Sequence, residues 1–513
     1  MSYSSARKRG TFAIGALVAL VPAIDLTALN QAIPHLSADL GPSATQILWI
    51  ADAYGFALAG LLITMGAVGD RIGHRRLLLI GTALFGAASA VTAYAPSAEA
   101  LIAARALLGV AGATLMPSAL SLIRRVFTEP RERTAAVGAF FGLVSLAVGL
   151  GPVLSGALLD HFWWGSVFLI NVPLMLVALV AGALVLPESR NLLSGWPDLP
   201  GVPLSIAGVL GIVYAVKEAA AHGADEPKVW VAALAGAAAL AAFAARQVRA
   251  ATPLIDVRLF RRAAFSGAVV TNMFAMFALV AQSLIFSMFF QLALGWDPLK
   301  AGLAGLPGAA GAMIGGAVLA PPVITLLGRA RAVALGMAVS AGGFALFLAI
   351  GLDTGYPMML PAMVLAGLGM GIAMTVTADT VLASVPKERS GAASAISETA
   401  TELGGALGMA VLGSVLTAAY RGALDLPAGT PPGAAAAARD SLAGALQAVA
   451  ALPERVGAQV AATARDAFMT GMHSALLCAA VLAAGVAVFA LVTLRRVPKV
   501  IEEEPEPEPV AAR

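Results

Sequence analysis

Six ionisable residues stand inside stretches of chain that are otherwise apolar: Asp25, Asp52, Arg105, Asp379, Glu398 and Glu402. A charge in an apolar medium is costly unless it is paired, so each position implies either a function or a fixed partner. A free aspartate, with a pKa near 3.9, is ionised throughout the neutral range. Low dielectric and a neighbouring carboxylate both favour the protonated form of an acid. A carboxyl group so placed can hold a proton or a lipophilic cation, and one occupant disfavours the other. That competition couples cation movement to a proton gradient without covalent chemistry, and two acids at one site suit a dication. Arg105 offers a second account: a fixed pair with one aspartate of the first half, which leaves the other aspartate free. No second intramembrane base is expected beside Asp379, Glu398 and Glu402, although Asp379 is alternatively a solvated residue at a cytoplasmic mouth.

The elements that must carry these residues are membrane helices. A bilayer core about 30 Å thick requires about 20 apolar residues of helix, and the sequence offers fourteen such runs. At 1.5 Å per residue, Asp25 lies about 12 Å, and Asp52 and Arg105 about 9 Å, from the outer ends of the first, second and fourth runs. Asp379 and Glu398 lie about 5–10 Å from the cytoplasmic ends of the twelfth and thirteenth. Glu402 follows Glu398 by one turn on the same face, nearer the midplane. Lys217, Glu218 and His222 crowd the end of the seventh run and make it, with the eighth, the least regular. Lys217 is assigned to the outer side.

Composition excludes other classes. Of 513 residues, 59% are hydrophobic and 12% charged, and mean hydropathy is +0.87. Soluble domains carry about 25% charged residues, so a soluble enzyme, a disordered scaffold and a nucleic-acid binder are excluded. Cys478 alone supports neither a disulfide framework nor a cysteine metal site. The five histidines fall near loops or span ends, and no phosphate-binding G-x-x-x-x-G-K-[ST] loop occurs. No cofactor, metal or enzymatic reaction is expected. Twenty-four of the 32 lysines and arginines fall on one side of a fourteen-span layout, which places both termini in the cytoplasm of a cell with an inner (cytoplasmic) membrane.

Glu129-Pro130-Arg131-Glu132-Arg133 and Val385-Pro386-Lys387-Glu388-Arg389 share a pattern half a chain apart. Two six-span repeats with two inserted spans, or 6+2+6, account for it. The expected divisions are a 1–10 cytoplasmic tail, an 11–190 first bundle, 191–263 for the two added spans, a 264–498 second bundle, and a 499–513 disordered acidic tail. Residues 419–471, within the second bundle, are expected to form an external helical hairpin. The loop after the second run holds Gly66, Asp70, Arg71, Gly73, Arg75 and Arg76. Its glycines permit a tight reversal, and Asp70 can accept backbone N–H groups at a helix start or pair with an arginine. Such a cluster can latch the cytoplasmic ends of two bundles. Ordinary positive-inside topology explains its arginines but not Asp70.

That loop resembles the major facilitator superfamily pattern G-x-x-x-D-R-x-G-R-[KR]. The fourth-span pattern R-x-x-x-G-x-x-G is met by Arg105, Gly109 and Gly112, and the fifth-span antiporter pattern G-P-x-x-G-G by Gly151, Pro152 and Gly156, with Ser155 replacing one glycine. Asp25, Thr27, Asn30, Ala32 and Pro34, and the run Trp164 to Pro173 through Asn171, resemble the fourteen-span drug/proton antiporters. Asp52 is similar to the subgroup of QacA- and SmvA-type pumps for quaternary ammonium and biguanide compounds. The resemblance implies an all-α major facilitator fold that exports lipophilic mono- and dications and dyes, conferring drug resistance, in exchange for protons by alternating access. A monomer is expected. Trp49, Tyr54, Met273, Phe277, Met288 and Phe289 are candidates for an adaptable, cation-attracting pocket; packing or lipid contact is the alternative for each, and the interfacial belt for Trp49. The other functions considered are export of one antibiotic or metabolite, and proton-coupled import.

Overall fold

The computed structural model describes residues 4–187, 198, 200–222, 225–250, 252–385, 390–427 and 429–498. The regular structure among them is entirely helical. The first six long helices are α1 (Ser5–Leu40), α2 (Ala44–Ile72), α3 (His74–Ala93), α4 (Ala98–Val126), α5 (Pro130–Leu159) and α6 (Asn171–Val185). Next come α7 (Gly201–His222) and α8 (Pro227–Arg249), then α9 (Ala263–Met288), α10 (Pro298–Met313), α11 (Arg329–Leu346), α12 (Tyr356–Ala383), α13 (Ser390–Ala423) and α14 (Glu454–Thr493). A π-helical turn, Ile314–Leu319, joins α10 to Ala320–Leu327. Among the described residues, thirteen helices are long and apolar enough to cross a membrane, a set that does not include α5. The chain is therefore a multi-pass membrane protein.

Local sequence sets the helix ends. Ser43 and Gln46 form a reciprocal capping box at the start of α2, Ser97 caps α4, and Glu129 accepts two backbone N–H groups ahead of Pro130 in α5. Gly73, between α2 and α3, and Gly328, before α11, have φ of 97° and 83°. A side chain would be strained at both positions, so each reversal needs glycine. Large apolar side chains such as Leu184, Leu326 and Met358 remain exposed, as expected where lipid rather than water is the solvent.

Helix packing repeats. In the first set α1 lies on α4, α5 and α6, α2 on α4, and α3 on α4 and α6. Each contact recurs among α9 to α14 with the helix numbers raised by eight. Contacts between the sets are reciprocal as well: α2 meets α13 while α10 meets α5, and α4 meets α13 while α12 meets α5. Helices α7 and α8 pair with each other, and α7 also packs on α2 and α13.

The stretch 419–471 differs from the expected separate hairpin. It holds two short helices, Pro432–Asp440 and Leu442–Val449, and its last part is the beginning of the 40-residue α14. Pro453 caps the start of that helix, a position that tolerates a missing N–H, and Leu442–Val449 packs back on it. Tyr420 Oη donates to the Ala438 carbonyl at 2.6 Å, and Leu442 and Ala445 are buried, so the short helices seat on the end of α13. The Pro386–Arg389 part of the second repeat pattern and the acidic tail lie outside the described residues.

Candidate functional site

Asp25 is fully buried on α1. Arg105 Nη1 donates to one of its oxygens at 2.5 Å, and Asn171 Nδ2 donates to the other at 3.0 Å. Arg105 Nε donates to the Ile50 carbonyl at 3.2 Å, and the guanidinium lies over Tyr54 at 5.0 Å and Phe168 at 5.8 Å. Gly109 makes this possible: a Cβ there would fall 2.3 Å from the Tyr54 carbonyl oxygen, so only glycine lets α4 approach α2. Both Asp25 oxygens are satisfied, which is the fixed-pair arrangement. Asn171 belongs to a sequence run singled out above, but its partner was not legible there.

Asp52 is one-third exposed and pairs with Lys217, whose ammonium sits 5.1 Å over the Phe56 ring. Lys217 lies in the last part of α7, which continues to His222, at the crowded end of the seventh run. Its long stem lets a charge on an inserted helix reach the second helix. Trp49 is 46% exposed, its ring 5.9 Å from Phe56.

Glu398 and Glu402 stand one turn apart on α13. No hydrogen bond or ion pair holds either carboxylate among the described residues. Glu398 is 6% exposed, whereas Glu402 is exposed although it sits in mid-helix. Since α13 packs on α2, α4, α7 and α9, that exposure opens between helices. Lys217 and Tyr54 are within electrostatic reach of Glu402. Beside the pair, Asn272 Nδ2 donates to Ser397 at 3.2 Å and to Thr401 at 2.9 Å, tying α9 to α13.

Asp379 corrects two expectations: it is neither solvated nor without a base. It is fully buried, with Arg133 Nε at 2.8 Å from one oxygen and Arg329 Nη2 at 2.8 Å from the other. Both arginines, read from sequence as cytoplasmic loop charges, fold inward at the starts of α5 and α11. Arg133 crosses from the first helix set to the second. Arg124 of α4 also crosses, donating to the Val385 carbonyl at 2.6 Å. Asp70 makes the third crossing: its two oxygens accept from the backbone N–H groups of Gly391 and Ala392, at 2.8 and 2.9 Å, at the start of α13. An anion there is favoured by the free N–H groups and the helix dipole. His74 Nε2 lies 2.9 Å from the same carboxylate. A Cβ at Gly66 would fall 2.5 Å from the Gly391 carbonyl oxygen, so the two helices touch through glycine. Arg71 and Arg75 reach carbonyls of Thr252 and Ala183, and Arg76 is exposed.

The Major Facilitator Superfamily profile matches residues 15–409. The chain belongs to the major facilitator superfamily. It is 43% identical over 484 residues to the multidrug efflux pump LfrA of Mycolicibacterium smegmatis, covering 94% of this chain and 96% of that one. It is 35% identical to the methyl viologen resistance protein SmvA of Salmonella typhimurium, covering 92% and 94%. A tetracenomycin C resistance and export protein of Streptomyces glaucescens is 32% identical, with 96% and 92% covered. The crystal structure of the human organic anion transporter MFSD10 superposes with a TM-score of 0.58 at 13% identity, over 94% of this chain and 99% of that one, which shows a shared fold.

In this major facilitator chain several pocket candidates serve packing instead. Tyr54 is 4% exposed beneath Arg105, and Phe289 is fully buried with its ring 5.5 Å from Phe290. Phe277 is 5% exposed, and the Met273 and Phe277 carbonyls abut Gly404 and Gly408 of α13. Aromatic and methionine side chains are large apolar volumes, and a helix interface claims them as readily as a pocket does. Met273 and Met288 are partly buried. In the antiporter pattern, Gly151 lies against Thr27, where a Cβ would fall 1.9 Å from its hydroxyl oxygen; Gly156 faces open space. The side chain of Pro152 lies outside the described ones. Sequence reading missed Lys217, Asn171, Asn272, Arg124, Arg133 and Arg329 as members of the charged network. Their shared signal is a polar residue within one turn of a span end, or inside a span, on a face that meets another helix.

Proposed function

We propose that this chain is a proton-coupled multidrug exporter of lipophilic organic cations in the cytoplasmic membrane, working by alternating access as a monomer. The observation that carries the reading is the Glu398 and Glu402 pair, two mid-helix carboxyl groups with no ionic or hydrogen-bonding partner among the described residues. A bare carboxylate in low dielectric is unfavourable, so such a group takes a proton or a cation in turn. Reciprocal packing of α1–α6 and α9–α14 supports fourteen spans arranged 6+2+6, and the skew of lysine and arginine supports cytoplasmic termini. Asp70, Arg133 and Asp379 then close the cytoplasmic ends and release when the bundles rock. The relatives named for multidrug efflux and methyl viologen resistance favour cations, and methyl viologen is itself a dication. Glu398, Glu402 and Asp52 form the exchange site, while Asp25 and Arg105 are its scaffold.

Ethidium uptake into inverted vesicles driven by a pH gradient tests this. Glu398→Gln and Glu402→Gln should each abolish gradient-driven uptake. Uptake at the wild-type rate in both would sink the assignment. A second reading, export of one antibiotic or metabolite, draws on the relative named for tetracenomycin C export; resistance to several unrelated cations on expression would reject it.

A further inference from the structure

Lys217 is a charge that the α7–α8 pair delivers to the acids. Helix α7 packs on α2 and on α13, the two helices that carry Asp52 and Glu402. The ammonium pairs with Asp52, lies 5.1 Å over the Phe56 ring, and is within electrostatic reach of Glu402. Carboxylates plus an aromatic face are the surroundings that an organic cation seeks. The Lys217 and Asp52 side chains are 37% and 33% exposed, so the pair is neither sealed nor held by further hydrogen bonds. Contrast the Arg105–Asp25 pair, which has no exposure at all. A lysine pair with about a third of each side chain exposed is held weakly, so another ligand can displace it.

We propose that the Lys217 ammonium is a tethered competitor for the cation site. It occupies Asp52 when no organic cation is bound, and the incoming cation displaces it. The inserted pair α7–α8 is then part of the substrate site, setting how strong a cation must be to enter, rather than a spacer between bundles. This inference rests on the cation-exchange reading of the acids and adds a residue that reading does not contain. Only non-covalent exchange is involved: one positive charge leaves the carboxylate as another arrives.

Binding of tetraphenylphosphonium to the purified full-length protein tests the proposal. Lys217→Met, which keeps the stem and removes the charge, should tighten binding about three- to tenfold. Lys217→Arg should stay near the wild type. Asp52→Asn should weaken binding, and adding Lys217→Met to it should restore nothing, because the competitor then has no carboxylate to vacate. Unchanged or weakened binding in Lys217→Met overturns the proposal, as does a wild-type protein that binds no cation. If Lys217→Met does not purify as a monodisperse species, Lys217→Gln carries the same expectation. Should binding respond as stated while vesicles show no pH-gradient-driven uptake, proton coupling fails and the role of Lys217 stands.

Discussion

Asp25 and Glu398 are both carboxylic acids inside membrane helices, and both are almost without exposure, at 0% and 6%. Around Asp25 every oxygen has a donor: Arg105 on one side, Asn171 on the other. Around Glu398 the polar neighbours Ser397, Thr401 and Asn272 satisfy one another instead. Burial therefore does not separate a structural acid from an exchanging one; the surroundings do. Asp25 is held in place by Arg105 and Asn171. Glu398 and Glu402, a turn apart, have no hydrogen-bonded or ion-paired partner among the described residues, and the proposed exchange site rests on that difference. Asp52, paired with a half-exposed lysine, stands between the two cases.

The comparison can be broken most directly at Arg105. Removing one partner of a buried ion pair costs about 3–5 kcal/mol, so Arg105→Ala should lower the melting temperature in detergent far more than Glu398→Gln, which should melt near the wild type. Equal melting of the two variants would erase the distinction between scaffold and exchange site. Transport should order them differently. Glu398→Gln should lose gradient-driven ethidium uptake by more than about tenfold while its expression is retained, a loss of about 1.4 kcal/mol or more.

Asp379 sharpens the same contrast, because this acid is also fully paired but across two helix sets. Asp379→Asn weakens the ties to Arg133 and Arg329 together, and cysteines placed along α12 should then react faster with a membrane-impermeant maleimide in inverted vesicles. No change in labelling would make Asp379 a purely local support. Gly66→Val should act in the same direction, since its side chain would have to occupy the space held by the Gly391 carbonyl. The smallest effect is expected at Asp198, ahead of α7. Arg246 holds its carboxyl below the usual carboxylate range, chiefly through hydrogen bonds at 2.7–3.0 Å. A depressed pKa means the tie contributes stability above the unfolded value near 3.9 and loses it as pH falls through the folded value. Asp198→Asn should thus lower melting slightly at pH 7, and by progressively less as the pH falls below the unfolded value.

Helix placement was legible because a bilayer requires about 20 apolar residues per crossing, and that demand is written locally. Long helices stand where the apolar runs predict them, and Asp70 accepts backbone N–H groups at a helix start as its type suggests. The capacity of Arg105 to neutralise one aspartate was also readable, although the choice of Asp25 over Asp52 was not. The burial of Arg133 and Arg329 against Asp379 was hidden, because a basic residue at a span end looks the same whether it faces water or a neighbouring helix. Phe289 and Tyr54 were misread for the related reason that apolar volume suits a helix interface and a pocket alike.

The sequence alone thus determined a multi-pass helical protein with six stranded charges and a glycine-lined reversal beside Asp70, since hydropathy, capping and turn chemistry act over a few residues. Only tertiary structure decided which acid is neutralised, which is left free, and that an inserted helix sends Lys217 to Asp52. Those outcomes depend on distances between helices far apart in the chain, and electrostatic energy follows that separation rather than position in sequence.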